Sequence, residues 1–260
     1  MPAPFPGVVV LEDAVAVARE GAARFVTLAR QAGAARGSFH VALSGGKTPA
    51  ALFGMLAADN LRGSVDWNQT HLCWSDERAV APSHPDSNYG MAQRELISRI
   101  SIPPGNVHRM EAERADADRA AQEYEAMLRK ILPAGPGGFP CFDLIYLGMG
   151  PDGHTASLFP GSVGLKETTR GVISQGVVLP SGAQAQRMTF TFPLLNAARV
   201  VIFLVTGADK AQRLREVLEG SHTPPYPSQG VRPSAGERIF LVDRAAAAGL
   251  SAGAGARPQP

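Results

Sequence analysis

Phe142-Asp143-Leu144-Ile145-Tyr146-Leu147-Gly148-Met149-Gly150-Pro151-Asp152-Gly153-His154 is the stretch on which the reading of this chain turns. Its first six residues are largely apolar, the pattern of a strand buried on both faces of a helix-covered parallel sheet. The run then breaks into three glycines, a proline, an acid and a histidine, so polar chemistry stands where the strand ends. Working toward the C-terminus, Arg187 to Phe192 alternates and Val200 to Val205 is another buried strand, ending at Thr206-Gly207-Ala208-Asp209-Lys210. A helix is expected from Lys210 to Leu218, then a Pro-rich loop (His222–Pro233) and a last strand, Arg238–Val242. Working toward the N-terminus, Ala115 to Ile131 is amphipathic and closed by the Pro133–Pro140 cluster, and a helix is expected near Asn88–Ile100. Thr70 to Ser75 reads as a strand running into Asp76-Glu77-Arg78, with a loop beyond. Phe39 to Leu43 reads as a strand ending in Ser44-Gly45-Gly46. Thr48 as a capping hydroxyl and Pro49 at the first helical position predict a helix to about Ala58. Glu12 to Ala32 has apolar residues at helical spacing. Strands alternating with helices imply an α/β fold: a mainly parallel central sheet flanked by helices on both faces, Rossmann-like. Residues 1–250 read as one domain, and the Ala/Gly/Pro-rich residues 251–260 as a disordered tail.

Composition narrows the function classes. The chain has 260 residues, 45% of them hydrophobic, and a formal net charge of +2, so a core of ordinary size is available. No basic stripe interleaved with aromatics calls for nucleic acid. No apolar run approaches the roughly 18 residues that a membrane span needs. Met1–Leu11 has three prolines and no leading positive charge, unlike a secretory signal. Two cysteines, Cys73 and Cys141, are too few for a disulfide scaffold and read as reduced core thiols. The expectation is a cytoplasmic protein, monomeric or weakly dimeric, with no nucleic-acid or membrane partner.

Four polar motifs fall at the C-terminal ends of expected strands, where open α/β sheets bind ligands. Ser44-Gly45-Gly46-Lys47-Thr48 lets backbone N–H groups approach an anion at a helix N-terminus. A P-loop would need glycine where Val41 stands, so the turn suits a phosphate monoester and not ATP. Gly148, Gly150 and Gly153 match a dinucleotide fingerprint formally, but Pro160, Gly161 and Gly164 leave little room for its helix. Asp152 and His154 make better sense as a pair in which the carboxylate sets the imidazole tautomer and the histidine takes a proton from water. Asp76-Glu77-Arg78, taken alone, reads as an exposed charged loop. Lys210 opens a helix, where a cation is locally unfavourable, which hints at an anionic partner. Arg187 begins the strand before it. No pair among the six histidines has zinc-site spacing, so a metal is not implied, and no nucleophile elbow is present.

Five blocks, in order, resemble the 6-phosphogluconolactonases, which share a fold with the glucosamine-6-phosphate deaminases. They are Ala42–Pro49, Trp74–Arg78, Ser87–Tyr89, Leu147–Pro160 and Arg187–Thr191, within a resemblance covering about residues 8–245. The deaminase pattern has a glutamate shortly after the histidine. Here Ser157-Leu158-Phe159-Pro160-Gly161 offers no carboxylate, while Arg78 keeps the arginine that the lactonase pattern places after Asp-Glu. The resemblance implies hydrolysis of a phosphosugar lactone, 6-phospho-D-glucono-1,5-lactone. His154, Asp152 and Arg78 would be catalytic, and Ser44, Gly45, Gly46, Lys47, Thr48, Asp76, Arg187 and Lys210 would bind substrate. A sister isomerase or deaminase, or a non-catalytic phosphosugar sensor, are the rivals. The first lacks its glutamate, and the second would carry an added DNA-binding segment.

Overall fold

Strands covered on both faces demand apolar side chains on both, and four segments supply them over all or most of their length: β2 (Phe39–Leu43), β5 (Leu144–Leu147), β8 (Val200–Val205) and β9 (Glu237–Asp243). A computed structural model describes residues 7–179 and 181–251. In it these strands join β1 (Val8–Leu11) and β3 (Thr70–Trp74) in a six-stranded, all-parallel sheet of order β1-β9-β8-β5-β2-β3. The mainly parallel α/β architecture expected from the sequence is the one observed. The expected tail falls, but for Ser251, outside the described residues, as do residues 1–6 of the N-terminal segment.

The strand order places the site. From β2 the chain moves outward to β3; from β5 it moves the other way, through β8 to β9. Connections therefore diverge between the neighbours β2 and β5, and a crevice opens beyond their carboxyl ends. Ser44-Gly45-Gly46 leaves β2 at this switch point and Gly148–His154 leaves β5 beside it.

Helix α1 (Ala14–Arg36) packs on β1, β2, β8 and β9, burying Val17, Ala18, Ala22, Phe25, Val26 and Ala29. Asp13 caps it through a bond from the Ala16 N–H at 2.7 Å, and Gly37, at φ 74°, ends it in the left-handed conformation that favours glycine. Helix α2 (Lys47–Leu56) starts two residues before the expected position. Gly46 is its N-cap and makes no side-chain bond, so Thr48 is not the cap; its hydroxyl meets that of Thr206 at 2.9 Å. Helix α3 spans Asn88–Glu95, shorter than expected, and gives way to a tight turn over Ile97–Arg99. Helix α4 (Ala117–Ile131) agrees with its amphipathic pattern. Four further helices are short: α5 (Phe192–Leu195), α6 (Ala211–Glu219), α7 (Pro227–Gly230) and α8 (Arg244–Ala247).

One feature was not anticipated. A second, antiparallel sheet of order β4-β7-β6 is formed by Asp76–Arg78 (β4), Val172–Val178 (β6) and Gln184–Phe190 (β7). Asp76-Glu77-Arg78 is thus a strand and not an exposed loop: Asp76 and Glu77 are buried. Phe190 of β7 ties this sheet to the core through the rings of Phe142 and Tyr124.

Candidate active site

A cleft of about 480 Å³ lies over the carboxyl ends of β2, β5 and β8. Ser44, Gly45, Gly46, Lys47, Thr48, Asp76, Arg78, His154 and Lys210 all line it, together with Asn88, Ala156, Thr206 and Asp209. Larger space exists between α3 and α4, but the residues singled out from the sequence are not there.

The histidine end is built by the turn after β5. His154 Nδ1 lies 2.6 Å from Asp152 Oδ1, and the His154 backbone N–H donates to the same oxygen at 3.2 Å. With Nδ1 committed to the carboxylate, Nε2 is the ring nitrogen left for a substrate. Phe159 stacks on the imidazole, ring centroids 4.2 Å apart. Burial opposes the charge on Asp152, but the hydrogen bond and charge of His154 outweigh it and hold its carboxyl below the usual range. Gly150 is what permits this pairing: a Cβ there would stand 2.1 Å from His154 Nδ1 and 2.6 Å from Asp152 Oδ1. The Pro-rich loop does not line the cleft; it braces the turn from behind. Ser228 donates through its backbone N–H (3.0 Å) and its hydroxyl (2.9 Å) to the Gly153 carbonyl, and Arg213 Nε donates to the Pro151 carbonyl at 2.9 Å.

The anion end is the turn after β2. The first N–H groups of α2 lack helical acceptors by geometry, and Gly46 supplies no side-chain cap. Ser44 Oγ is buried with no partner among the described residues. Lys47 is exposed at the rim. Lys210 comes in from the loop after β8, and within the protein its ammonium is paired with the adjacent Asp209. The anionic partner that a cation at a helix start calls for is therefore already present, and a bound phosphate would have to compete with it.

Between the two ends lies a buried polar brace. Asp76 accepts from Ser157 Oγ at 2.7 Å and from Asn88 Nδ2 at 3.3 Å. Ala156, just before Ser157, holds φ 47°, a strained position for a residue with a Cβ. Glu77 is turned away from the cleft and accepts four bonds, from Arg78 N, Asn88 N and Tyr89 N at 2.8 Å each and from Ser87 Oγ at 3.0 Å. It thereby fastens the start of α3 to β4. Arg78 donates from Nη1 to the Asp86 carbonyl.

Arg187 corrects an expectation. It lies within β7 and not at its beginning, it does not line the cleft, and it stands opposite Arg78 in the antiparallel register. Burial, and then the charge of Arg78, pull its pKa down. Asp152 also sits behind His154 and not on the cleft wall. Sequence reasoning assigned no role to Asn88, Thr206 or Asp209. Ser87-Asn88-Tyr89 was visible as a motif, but only the fold shows Asn88 beneath the glycine turn. Among the described residues no group of three or more His, Cys, Asp or Glu side chains could hold a metal ion, and no helix is long and apolar enough to cross a membrane.

A cleft that can seat an anion on backbone amides at one end and move a proton at the other belongs to an α/β enzyme acting on a phosphorylated metabolite. The chain belongs to the glucosamine-6-phosphate isomerase/6-phosphogluconolactonase family, whose model it matches over residues 12–240. It is 41% identical over 219 residues to a 6-phosphogluconolactonase of Synechocystis sp., covering 84% of this chain and 87% of that one. It is 36% identical over 250 residues to a 6-phosphogluconolactonase of Streptomyces coelicolor, covering 94% and 95%. Among solved structures, the 6-phosphogluconolactonase of Trypanosoma brucei superposes with a TM-score of 0.83 at 29% identity, over 95% of this chain and all of that one.

Proposed function

We propose that this chain hydrolyses 6-phospho-D-glucono-1,5-lactone to 6-phospho-D-gluconate, a step of the oxidative pentose phosphate pathway, with His154 as general base. The observation that carries this reading is the 2.6 Å contact between His154 Nδ1 and Asp152 Oδ1 inside a cleft whose other end is an amide-rich turn. Asp152 fixes the tautomer with Nδ1 protonated, so Nε2 is a lone-pair acceptor. Water attacks the C1 carbonyl carbon and gives its proton to Nε2. The tetrahedral intermediate then collapses, the bond from C1 to the ring oxygen breaks, and the C5 oxygen takes the proton back from the imidazolium. Arg78 and nearby backbone N–H groups stabilise the oxyanion, a contribution of about 3 kcal/mol per well-placed donor. The 6-phosphate sits on the Ser44–Thr48 turn, with Lys210 exchanging Asp209 for phosphate oxygens. Arg187 stands beside Arg78 across the β4–β7 pair, its charge adding to that of Arg78. An activated lactone needs a base and placement, so no cofactor enters this scheme.

The test is hydrolysis of freshly generated lactone, corrected for spontaneous opening, by wild type and His154→Ala. Turnover that falls about 10²- to 10⁴-fold in the variant, with KM little changed, supports the assignment. Turnover retained in the variant discards the base, and absence of turnover in wild type discards the lactonase.

A further inference from the structure

We propose that Asn88 is a specificity-determining residue whose side-chain oxygen accepts a hydrogen bond from one ring hydroxyl of the bound phosphosugar lactone. The proposal rests on the lactonase reading and deepens it. Asn88 is 1% exposed yet lines the cleft. Its amide orientation is dictated by its neighbours. Nδ2 faces the Asp76 carbonyl oxygen at 2.8 Å and Asp76 Oδ1 at 3.3 Å, and both are acceptors, so the NH₂ group must lie on that side. The oxygen is thereby turned to the other side, and Oδ1 has no partner among the described residues. Buried polar atoms are rarely left so, because each costs the desolvation of a lost hydrogen bond.

Two further hydrogen bonds make this acceptor rigid. The Asn88 backbone N–H is held by Glu77 Oε1 at 2.8 Å. Asp76, which holds the amide nitrogen, is itself pinned on its other oxygen by Ser157 Oγ at 2.7 Å. Gly45 provides the space: a Cβ there would stand 1.9 Å from Asn88 Oδ1. Gly45 therefore serves the amide as well as the anion turn. An atom that only accepts selects a donor, which among the groups of a phosphosugar lactone means a hydroxyl. It disfavours phosphate oxygens, which are left to the donor-rich turn after β2. The acceptor and the turn thus sort the substrate's groups by polarity and fix which way the ring lies.

The experiment compares kcat/KM for the parent lactone with that for the analogues lacking the hydroxyl at C2, C3 or C4, in wild type, Asn88→Ala and Gly45→Ala. Wild type is expected to lose roughly 10- to 100-fold on one analogue, because an acceptor built for a hydroxyl is left unpaired. In Asn88→Ala the parent falls by a similar factor and the discrimination at that one position collapses to within about threefold, while the other two positions keep theirs. Gly45→Ala, whose methyl would displace the amide without altering Asn88, is expected to flatten the same position and serves if Asn88→Ala folds poorly. A purely structural role for Asn88 would lower all four substrates together and leave the ratios unchanged, which overturns the proposal. Wild type that hydrolyses the parent but tolerates all three deletions overturns it too. Failure of wild type to hydrolyse the parent overturns the lactonase reading, and this proposal with it.

Discussion

His154 and Asp152 show how one missing side chain controls two others. Nothing at Gly150 but hydrogen allows the imidazole and carboxylate to meet above it. Gly150→Ala should push the pair apart, and a displacement near 1 Å at a reacting group costs about 10² in rate. The expected result is a kcat lowered roughly 100-fold with KM changed little, since the turn after β2 is untouched; steady-state kinetics would decide. An equal rise in KM would mean that the turn after β5 also carries substrate. Asp152→Asn should lower kcat tenfold or more by releasing the tautomer, yet less than His154→Ala, which removes the base itself. The histidine and its acid were legible from spacing alone, because an acid two residues before a histidine in a glycine turn has few structural uses. The size of the gap at Gly150 was not, since it depends on how the turn curls back on itself through the bond from Gly150 N to His154 O, 2.9 Å.

Strands built of unbroken apolar runs, such as Val200–Val205, were legible because burial on both faces leaves no other residue choice. Asp76–Arg78 was not, because three charged residues satisfy no hydrophobic pattern; they are a strand only through pairing with β7 across the gap to residues 187–189. Their burial is secured by Glu77 bridging β4 and α3, so Glu77→Ala should leave four donors unpaired and lower stability by about 3 kcal/mol, read as an earlier denaturation midpoint. Another link between elements lies at the opposite end of the sheet. His40 of β2 is in register with His71 of β3, and their rings lie 4.7 Å apart. His71 Nδ1 sits 3.0 Å from His108 Nε2, so one nitrogen must donate and the other accept. Burial first, then the charges of His40 and His108, lower the pKa of His71 to about 4. Above pH 6.5 both folded and unfolded chains hold it neutral, and it contributes nothing. As pH falls from about 6.5 to 4, the unfolded chain binds a proton that the native chain refuses, so stability declines through that window. Denaturant midpoints measured at pH 7.5, 5.5 and 4 should therefore fall less steeply in His71→Gln than in wild type; identical slopes would remove the histidine pair from the account of acid sensitivity.

At the scale of the whole molecule, the cleft is shared between the turns that follow β2, β5 and β8, strand β4 and the start of α3, so no single element contains it. A phosphosugar seated there ties both sheets together and can bind only the folded chain. Ligand at 100 times its dissociation constant adds about 2.7 kcal/mol to stability, which for a chain of this size raises the melting temperature by roughly 5–10 °C. The product, 6-phosphogluconate, suits this measurement because it carries the phosphate and is not consumed. Lys210→Ala removes the cation from the anion end, and a lost charge-assisted bond weakens binding by one to two orders of magnitude. At the same product concentration its shift should fall to half that of wild type or less, while its melting temperature without product should hardly change, because the partner Asp209 is exposed and keeps its hydration when the lysine is lost. Raising the salt concentration should shrink the wild-type shift in the same direction. A full shift in Lys210→Ala would place the phosphate on the backbone amides alone and leave Lys210 as the partner of Asp209.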